Sequence, residues 1–332
     1  MYYYNSTSLT ADAAGILGYK TDHEKYLSAA NRIRTAIIDE YFTPSGRFAL
    51  DTQTAYVLSL HFGVYRNRET VIDLFKERLR KDFYKMKTGF TGTPLLLPTL
   101  FDCGMDEDAF RILYSEDCPG WLYAVNMGAT TIWERWNSLL PDGRISGINM
   151  NSLNHYAYGS VCEAIYSRIA GLRPTTPGWH TALIEPHPNR RMKKIDFTYD
   201  SPAGLYAVAW ELNSSEEKFS VFVSVPAGCK AMLHMPNGNE ELLCSGHHTR
   251  TINAPTSLLH PFSLDTPNID IINDKKASGC LLKYLPTAYA LVTGENAEFT
   301  VKNGHFLLSL PMFGATKESG EAYAKALSEI KT

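Results

Sequence analysis

Two kinds of hydrophobic spacing divide this chain: a helical period in its first half and shorter, strand-like runs further along. Between residues 21 and 42 the apolar positions recur every three or four residues, the period of one buried helix face. Thr21 and Glu24 stand at the start of this segment, and we expect them to form a capping box. The opening segment also has a helical pattern, and further helices are predicted at about 50–63, 68–84, 93–104, 106–115, 128–138 and 150–171.

Short polar turns separate these predicted helices, so we expect neighbouring helices to pack against each other as antiparallel hairpins. No heptad pattern is sustained, which argues against a coiled coil. The spacing therefore predicts a first domain, over residues 1–175, made of stacked helical hairpins that close towards a toroid.

The pattern changes at residues 171–178, where glycine and proline interrupt the chain. Short β-rich runs follow, bounded by turn residues: "KKIDFTYD", "GLYAVAWEL", "KFSVFVSVP", "KAMLHMP" and "EELLCSG". They predict a small antiparallel β-sandwich over residues 176–265, with a type I′ hairpin turn at Asn237-Gly238. Residues 266–332 are predicted to form a C-terminal extension with short helices.

Composition narrows the functional class. The formal charge of −3 gives no electrostatic reason to expect nucleic acid, and no apolar stretch approaches the ~20 residues needed to span a bilayer. The six cysteines form no C-x-x-C pair, so we expect reduced thiols in a cytoplasmic protein. We also expect no metal and no cofactor, since the histidines are dispersed and the Gly- and Thr-rich loop "TGFTGTPLLLP" lacks the lysine of a phosphate-binding loop.

One carboxylate stands out, Glu134 in "GATTIWERWNSLLPDG", which lies between Trp133 and Trp136. A general base in glycoside hydrolysis is an ionised acid beside an ordered water, and indole rings on either side would stack on a sugar and exclude solvent. The alternative is an amphipathic helix with both tryptophans on one face and Glu134 solvated beside Arg135.

A second candidate is His155 in "NSLNHYAYGSV". A neutral imidazole at the head of the predicted helix could hydrogen-bond a hydroxyl group of a ligand. The alternative is a histidine whose hydrogen bonds are purely structural. Asp51, in "DTQTAYVLSLHFG", is explained by capping of the helix that follows it.

Taken in order, several segments resemble the C-terminal part of the bacterial α-L-rhamnosidases of glycoside hydrolase family 78: "DTQTAYVLSLHFG", "TGFTGTPLLLPTLFDCG", "GATTIWERWNSLLPDG", "NSLNHYAYGSVCEAIYSRIAGL" and "PHPNRRMKKIDFTYDSPAGLYAVAWEL". The resemblance implies part of an (α/α)6 barrel followed by a β-sandwich, and inverting hydrolysis of terminal α-L-rhamnosides. It also implies roles for individual residues: Glu134 as general base, His155 as a sugar-binding residue, and Trp136, Trp133 and Trp121 as walls of the pocket.

The general acid of this family lies in an acidic and Arg-rich segment that would precede residue 1 here. Asp51, Asp102 and Asp106 are the visible substitutes, and nothing in the sequence marks any of them for that role. We therefore expect either a truncated rhamnosidase region or a non-catalytic carbohydrate-binding or assembly component, an inactive fragment being a third reading. A rhamnose-containing glycoside is the expected ligand, and a homodimer or a second chain is the expected means of completing the barrel.

Overall fold

The computed structural model describes residues 1–147, 150–260, 262–294 and 315–331. The chain divides into two compact units, Met1–Cys162 and Glu163–Thr332. The first is helical and the second is built on a β-sheet, so the predicted order of a helical part and then a β-rich part is confirmed. The predicted boundaries near residues 175 and 265 stay predictions.

The first unit consists of helices joined by short loops: α1 (Tyr2–Ile16), α2 (Lys20–Tyr41), α3 (Gln53–His61), α4 (Arg68–Lys81), α5 (Gly89–Asp102), α6 (Asp106–Leu113) and α7 (Trp121–Asn126). Helix α1 packs against α2, α3 against both α4 and α5, and α5 against α6. Val57, Phe75 and Leu96 are fully enclosed where these helices meet. The predicted helical hairpins are therefore present.

Four local predictions in this unit are wrong. Residues 128–138 form no helix, and residues 150–171 are helical only from Ala157 to Ile169, as a 3₁₀ turn, a short α-helix α8 (Val161–Ala164) and a π-turn. The capping box is absent because α2 begins at Lys20, which places Thr21 inside the first turn. Thr52 caps α3 instead of Asp51, its side chain accepting a hydrogen bond from the Ala55 N–H.

The second unit contains one six-stranded sheet: β1 (Leu172–Pro174), β2 (Thr181–Ile184), β3 (Lys194–Ser201), β4 (Gly204–Asn213), β5 (Lys218–His234) and β6 (Glu240–Asn253). The strand order is β1-β2-β5-β4-β3, and β6 pairs along β5. All pairs are antiparallel except β2 and β5, which are parallel, so the sheet is mixed rather than wholly antiparallel.

The long strand β5 explains why the strands form a single curled sheet, since it pairs with three other strands. Its first half pairs with β4 and its second half with β2, and the register with β6 shifts between Val225 and Lys230. Such an irregularity bends a strand and increases its twist, so the sheet curls. Phe219, Val221 and Val223 are buried on one face of β5, in the period-two pattern that the sequence indicated.

The hairpin between β5 and β6 lies where it was predicted, but its turn is of another type. The Gly238 N–H donates to the Met235 carbonyl at 2.8 Å, which makes Pro236 and Asn237 the central residues. Gly238 has a φ of 86°, whereas Asn237 is not in the left-handed region. A type I′ turn requires positive φ at both central residues, so this is a type I turn followed by a left-handed glycine.

A short helix, α9 (Thr256–Leu259), lies within the range predicted for the sandwich. The predicted short helices of the C-terminal extension are α10 (Asn268–Asn273), α11 (Lys275–Tyr284), α12 (Pro286–Thr293) and α13 (Lys317–Ser328). Phe262, Leu281 and Tyr323 lie in their common core. All six cysteines are free thiols. Over the described ranges, no helix has the length and apolarity needed to cross a bilayer.

Candidate active site

The loop that carries Glu134 is held against the loop that carries His155 by backbone hydrogen bonds. The Glu134 N–H donates to the Ser152 carbonyl at 3.0 Å, and the His155 N–H donates to the Ile132 carbonyl at 2.7 Å. The Thr131 hydroxyl adds a bond to the Leu153 carbonyl. Two motifs some twenty residues apart in sequence thus become neighbours, and this pairing uses the Glu134 N–H and the Ile132 carbonyl, which a helix over 128–138 would have used.

A cluster of aromatic rings adjoins this pairing. The Trp136 and Tyr158 rings stack with centroids 4.2 Å apart and an interplanar angle of 22°. Trp121 meets Trp136 edge-on at 5.6 Å, and its indole N–H donates to the Tyr158 carbonyl at 2.8 Å. Phe90 completes this ring cluster, with its centroid 5.1 Å from that of Tyr158. The cluster therefore joins the start of α5, helix α7 and the two paired loops.

His155 belongs to the same ring cluster and has a defined hydrogen-bonding state. Its ring stacks on Phe90 with centroids 5.1 Å apart and planes 18° from parallel. Its Nδ1 accepts a hydrogen bond from the Ala157 N–H at 3.2 Å. Because a backbone N–H can only donate, the neutral ring then carries its proton on Nε2. That N–H remains as a donor for a ligand hydroxyl.

Of the sequence-predicted aromatic residues, the structure brings Trp121 and Trp136 into this ring cluster but places Trp133 elsewhere. Trp133 is buried in a separate apolar cluster with Tyr123 and Ala124. Trp133 packs inward, while the next residue, Glu134, is only half-buried. Trp133 therefore anchors the loop in the core.

The electrostatic surroundings of Glu134 are set by its neighbours. Burial raises the pKa of the Tyr158 phenol, and the nearby Glu134 carboxylate raises it further, so the tyrosine stays protonated beside the acid. Arg135 is directed away, its guanidinium donating to the Asn137 side chain at 2.9 Å and towards the Ser146 carbonyl at 3.4 Å. Within the part of the chain that the structure describes, Glu134 forms no salt bridge, so its charge is available to a ligand or a water molecule.

Residues 1–169, just over half of the chain, match the family model for the bacterial α-L-rhamnosidase six-hairpin glycosidase domain. Residues 171–250 match the model for the bacterial α-L-rhamnosidase C-terminal domain. The chain belongs to the bacterial α-L-rhamnosidase family. The resemblance inferred from its motifs is thereby confirmed.

Individual α-L-rhamnosidases are similar to this chain over about three quarters of its length. An α-L-rhamnosidase from Streptomyces avermitilis is 35% identical over 250 residues, which is 75% of this chain and 24% of the relative. The solved α-L-rhamnosidase from Aspergillus terreus has a TM-score of 0.72 at 30% identity, covering 75% of this chain and 29% of that one. A Streptomyces avermitilis α-L-rhamnosidase, solved with L-rhamnose, gives 0.71 at 33% identity, with 76% and 26% covered. The chain thus spans about a quarter of the length of these rhamnosidases.

The acids considered as substitutes for the general acid lie in structural positions or at helix ends. Asp51 accepts hydrogen bonds from the Tyr56 hydroxyl at 3.0 Å and from Arg78 at 3.3 Å, so its carboxylate is held in a structural network. Asp102 is the last residue of α5 and Asp106 the first of α6. Across the described ranges, no group of three or more histidine, cysteine or acidic side chains could hold a metal ion.

Sequence reasoning missed a buried polar network that holds the loop preceding Phe90 of the ring cluster. Gln53 is almost fully buried, and its amide N–H groups donate to the Asp82 carboxylate at 2.8 Å and to the Lys85 carbonyl at 2.7 Å. Its amide oxygen accepts from the Lys87 N–H at 2.9 Å. One side chain thus fixes the 82–88 loop, which leads directly into Phe90 of the ring cluster. A long amide side chain at the first position of α3, two residues before the apolar run 55–58, was the signal for it.

The 82–88 loop needs this support because its backbone is strained. Phe83 and Tyr84 have φ values of 52° and 56°, in the left-handed region that non-glycine residues seldom occupy. Gly92 then allows α5 to approach the loop, since a Cβ there would lie 2.9 Å from the Thr88 Cβ. The motif "TGFTGTP" is thus a tight helix entry, as the sequence suggested, and it presents Phe90 to the site.

Proposed function

We propose that this chain forms the general-base side of a site that hydrolyses terminal α-L-rhamnosides with inversion of configuration. The observation that carries the proposal is the backbone pairing of residues 132–134 with residues 152–155, which sets Glu134 and His155 beside the ring cluster. One family relative has been solved with L-rhamnose, and the same sugar is the ligand proposed here.

Each residue has a role that follows from its surroundings. The Glu134 carboxylate accepts a proton from a water molecule as that water attacks the anomeric carbon. The Nε2–H of His155 donates to a hydroxyl of the sugar. Trp136 and Trp121 supply rigid apolar walls that exclude other water molecules and orient the ring.

The second half of the reaction is the protonation of the leaving group. An inverting site needs a protonated acid roughly 6.5–9.5 Å from the base, on the other side of the scissile bond. Of the acids considered for that role, Asp51 is already engaged by Tyr56 and Arg78, and the family resemblance assigns the role to none of Asp51, Asp102 and Asp106. Substrates whose leaving group must be protonated should therefore be hydrolysed by this chain alone about 10²–10⁴-fold more slowly than by a site that has the acid.

A second candidate function is favoured by the surface of α1. Tyr3, Leu9, Ile16 and Leu17 are all exposed, with Ile16 at 87%. Exposed apolar surface of this kind marks an association face. In this alternative the chain is a non-catalytic sugar-binding or assembly component, and a second copy or a second chain covers α1 and completes the barrel.

The two candidate functions can be distinguished with two substrates whose leaving groups differ in how much they need protonation. Dinitrophenolate is a weak base and departs without protonation, whereas p-nitrophenolate is a poorer leaving group. We expect the purified chain to hydrolyse 2,4-dinitrophenyl α-L-rhamnopyranoside well and p-nitrophenyl α-L-rhamnopyranoside slowly. Glu134→Gln should abolish both activities, and Glu24→Gln, on the exposed side of α2, is the matched control.

Isothermal titration with L-rhamnose completes the test. Rhamnose binding without hydrolysis of either glycoside would favour the non-catalytic candidate. Hydrolysis of the dinitrophenyl glycoside that survives Glu134→Gln would refute the assigned base. A chain that neither binds L-rhamnose nor cleaves either glycoside would refute both candidates.

A further inference from the structure

The second unit contains a polar cavity that the proposed hydrolysis does not use. Its volume is about 700 Å³, and it lies between the start of β3, the turn that joins β4 to β5, the first turn of α11 and Lys331. Four of its ten lining residues are lysines and two are glutamates, and Leu212, the single apolar one, is 2% exposed. A cavity of this size can hold a small ligand, and its lining favours a charged one.

The charges around this cavity do not cancel. Lys331 forms an ion pair with Glu217, so the second lining carboxylate, Glu211, faces the other lysines alone. Those lysines are Lys193, Lys194 and Lys276. Among the residues that the structure describes, none of these three forms a salt bridge. The cavity therefore carries a net positive charge and should attract an anion.

Two of these ammonium groups are held in place by neutral partners. The Nζ of Lys193 donates to the Ser214 hydroxyl at 3.1 Å, and the Nζ of Lys276 donates to the Lys331 carbonyl at 2.8 Å. The Lys193 carbonyl also accepts from the Leu212 N–H at 2.6 Å, which ties this lysine to β4. An ammonium group held by a neutral oxygen keeps its charge and two further N–H donors, and it loses less conformational entropy when a ligand binds.

The turn between β4 and β5 adds uncharged donors. The Asn213 side-chain oxygen accepts from the Ser215 hydroxyl at 2.7 Å and from the Glu216 N–H at 3.2 Å, which leaves its amide nitrogen as a donor. The Ser214 hydroxyl, which accepts from Lys193, can donate its own proton. Ammonium, amide and hydroxyl donors thus line the cavity, and such donors bind the oxygens of phosphate and sulfate groups.

We propose that this cavity binds a small ligand through a doubly charged oxyanion, a phosphate or a sulfate group. Three lysines beside one glutamate leave an excess of two positive charges, which a dianion neutralises and a monocarboxylate does not. An uncharged sugar would leave the lysines without a partner. The site lies within the second unit, and the inference does not depend on the function proposed for Glu134.

The experiment is isothermal titration of the chain with inorganic phosphate, sulfate and glucose 6-phosphate, with glucose as the uncharged control, at slightly alkaline pH and low ionic strength. The three anions should bind and glucose should not. Binding should weaken as sodium chloride is added, because salt screens exposed charges. Tighter binding of glucose 6-phosphate than of inorganic phosphate would identify an esterified group as the ligand, and the reverse order would identify the free anion.

Variants that remove one charge locate the site. Lys194→Gln and Lys276→Gln should each weaken the binding of inorganic phosphate about five- to tenfold, whereas Glu211→Gln should strengthen it about two- to fivefold. Lys230→Gln, which removes an exposed lysine of β5 outside the cavity, is the matched control and should leave the affinity unchanged. Lys194 and Lys276 are both exposed, so the fold should tolerate their replacement.

Opposite effects of the lysine and glutamate variants are a result that a purely structural role would not give. Absence of binding by all three anions would overturn the proposal. Phosphate affinities of Lys194→Gln and Lys276→Gln equal to that of Lys230→Gln would also overturn it. Weaker phosphate binding by Glu211→Gln, in a variant whose urea-unfolding midpoint matches wild type, would refute the electrostatic argument.

Discussion

The buried carboxylate of Asp82 permits a stringent test of how the site is supported. It accepts hydrogen bonds from Gln53 at 2.8 Å, from two nitrogens of Arg78 at 3.0 and 2.7 Å, and from Lys87 at 2.8 Å. Its side chain is 4% exposed. Replacing it with alanine removes the shared acceptor of an amide and two cations while leaving the helices otherwise intact.

The expected loss of stability depends on the partners of Asp82 that remain without an acceptor. Removing one partner of a fully buried ion pair costs about 3–5 kcal/mol, but Arg78 and Lys87 are 21% and 59% exposed and can be rehydrated. Gln53 is 1% exposed and cannot, so one buried donor loses its acceptor at a cost of about 1–3 kcal/mol. We therefore expect Asp82→Ala to lower the free energy of unfolding of the first unit by about 2–4 kcal/mol.

The dependence on pH gives this prediction a second signature. Burial alone would raise the pKa of Asp82, but the hydrogen bonds from Lys87, Gln53 and Arg78 outweigh burial and lower it below the ordinary 3.8. A lowered folded pKa means that the stabilisation is complete above pH about 4 and is lost as the pH falls through the folded pKa. The difference between wild type and Asp82→Ala should shrink over that acidic range.

Urea unfolding followed by far-ultraviolet circular dichroism measures both effects. The control is Asp39→Ala, because Arg66 also lies 2.7 Å from Asp39, which is 63% exposed. An exposed pair contributes about 0–1 kcal/mol, so this variant should stay close to wild type. Equal losses for Asp39→Ala and Asp82→Ala would refute the reasoning from burial, and a loss independent of pH would refute the assigned charge.

Two further predictions concern the second unit. Gly171 and Gly238 both have a φ of 86°. A Cβ added to Gly171 would lie 2.3 Å from the backbone of Glu185, whereas a Cβ added to Gly238 would have no other atom within 4 Å. Gly171→Ala should therefore cost more than about 3 kcal/mol and Gly238→Ala about 1 kcal/mol in urea unfolding, and equal costs would contradict this account. Contacts with His187 and Arg173 hold the pKa of Glu185 well below its usual range, so Glu185→Gln should lose about 1–3 kcal/mol at neutral pH. That loss should fade in acid urea melts as the pH drops below about 4, and a constant difference would argue against a charged Glu185.

Local patterns predicted many of the helices and strands. Helices α2 to α6 form close to their predicted positions, and α4 and α6 each bury an apolar stripe with helical spacing. Strands β4 and β5 likewise show the expected alternation of buried and exposed residues. The predicted helix over residues 128–138 was wrong. Its apolar residues have helical spacing, but its backbone forms hydrogen bonds with the 150–155 loop instead.

The residues of the candidate site were chosen from the sequence, but their arrangement was not predicted. Glu134, His155, Trp136 and Trp121 were chosen from motifs, whereas the separation of Trp133 from the ring cluster depends on which side of a loop each indole faces. Sequence spacing along a helix would have put Trp133 and Trp136 on one face. The loop that forms instead places the two indoles in separate clusters.

By itself, then, the sequence determined the order of the two parts, the family and the acid proposed as the base, because periodicity and motifs are properties of neighbouring residues. Tertiary structure decided the rest. The pairing of two loops, the burial of Gln53 against Asp82 and the stacking of Phe90 on His155 all join residues far apart in the chain. Contacts of that kind form only when packing offsets the entropy of closing the intervening segments, and no local pattern records that balance.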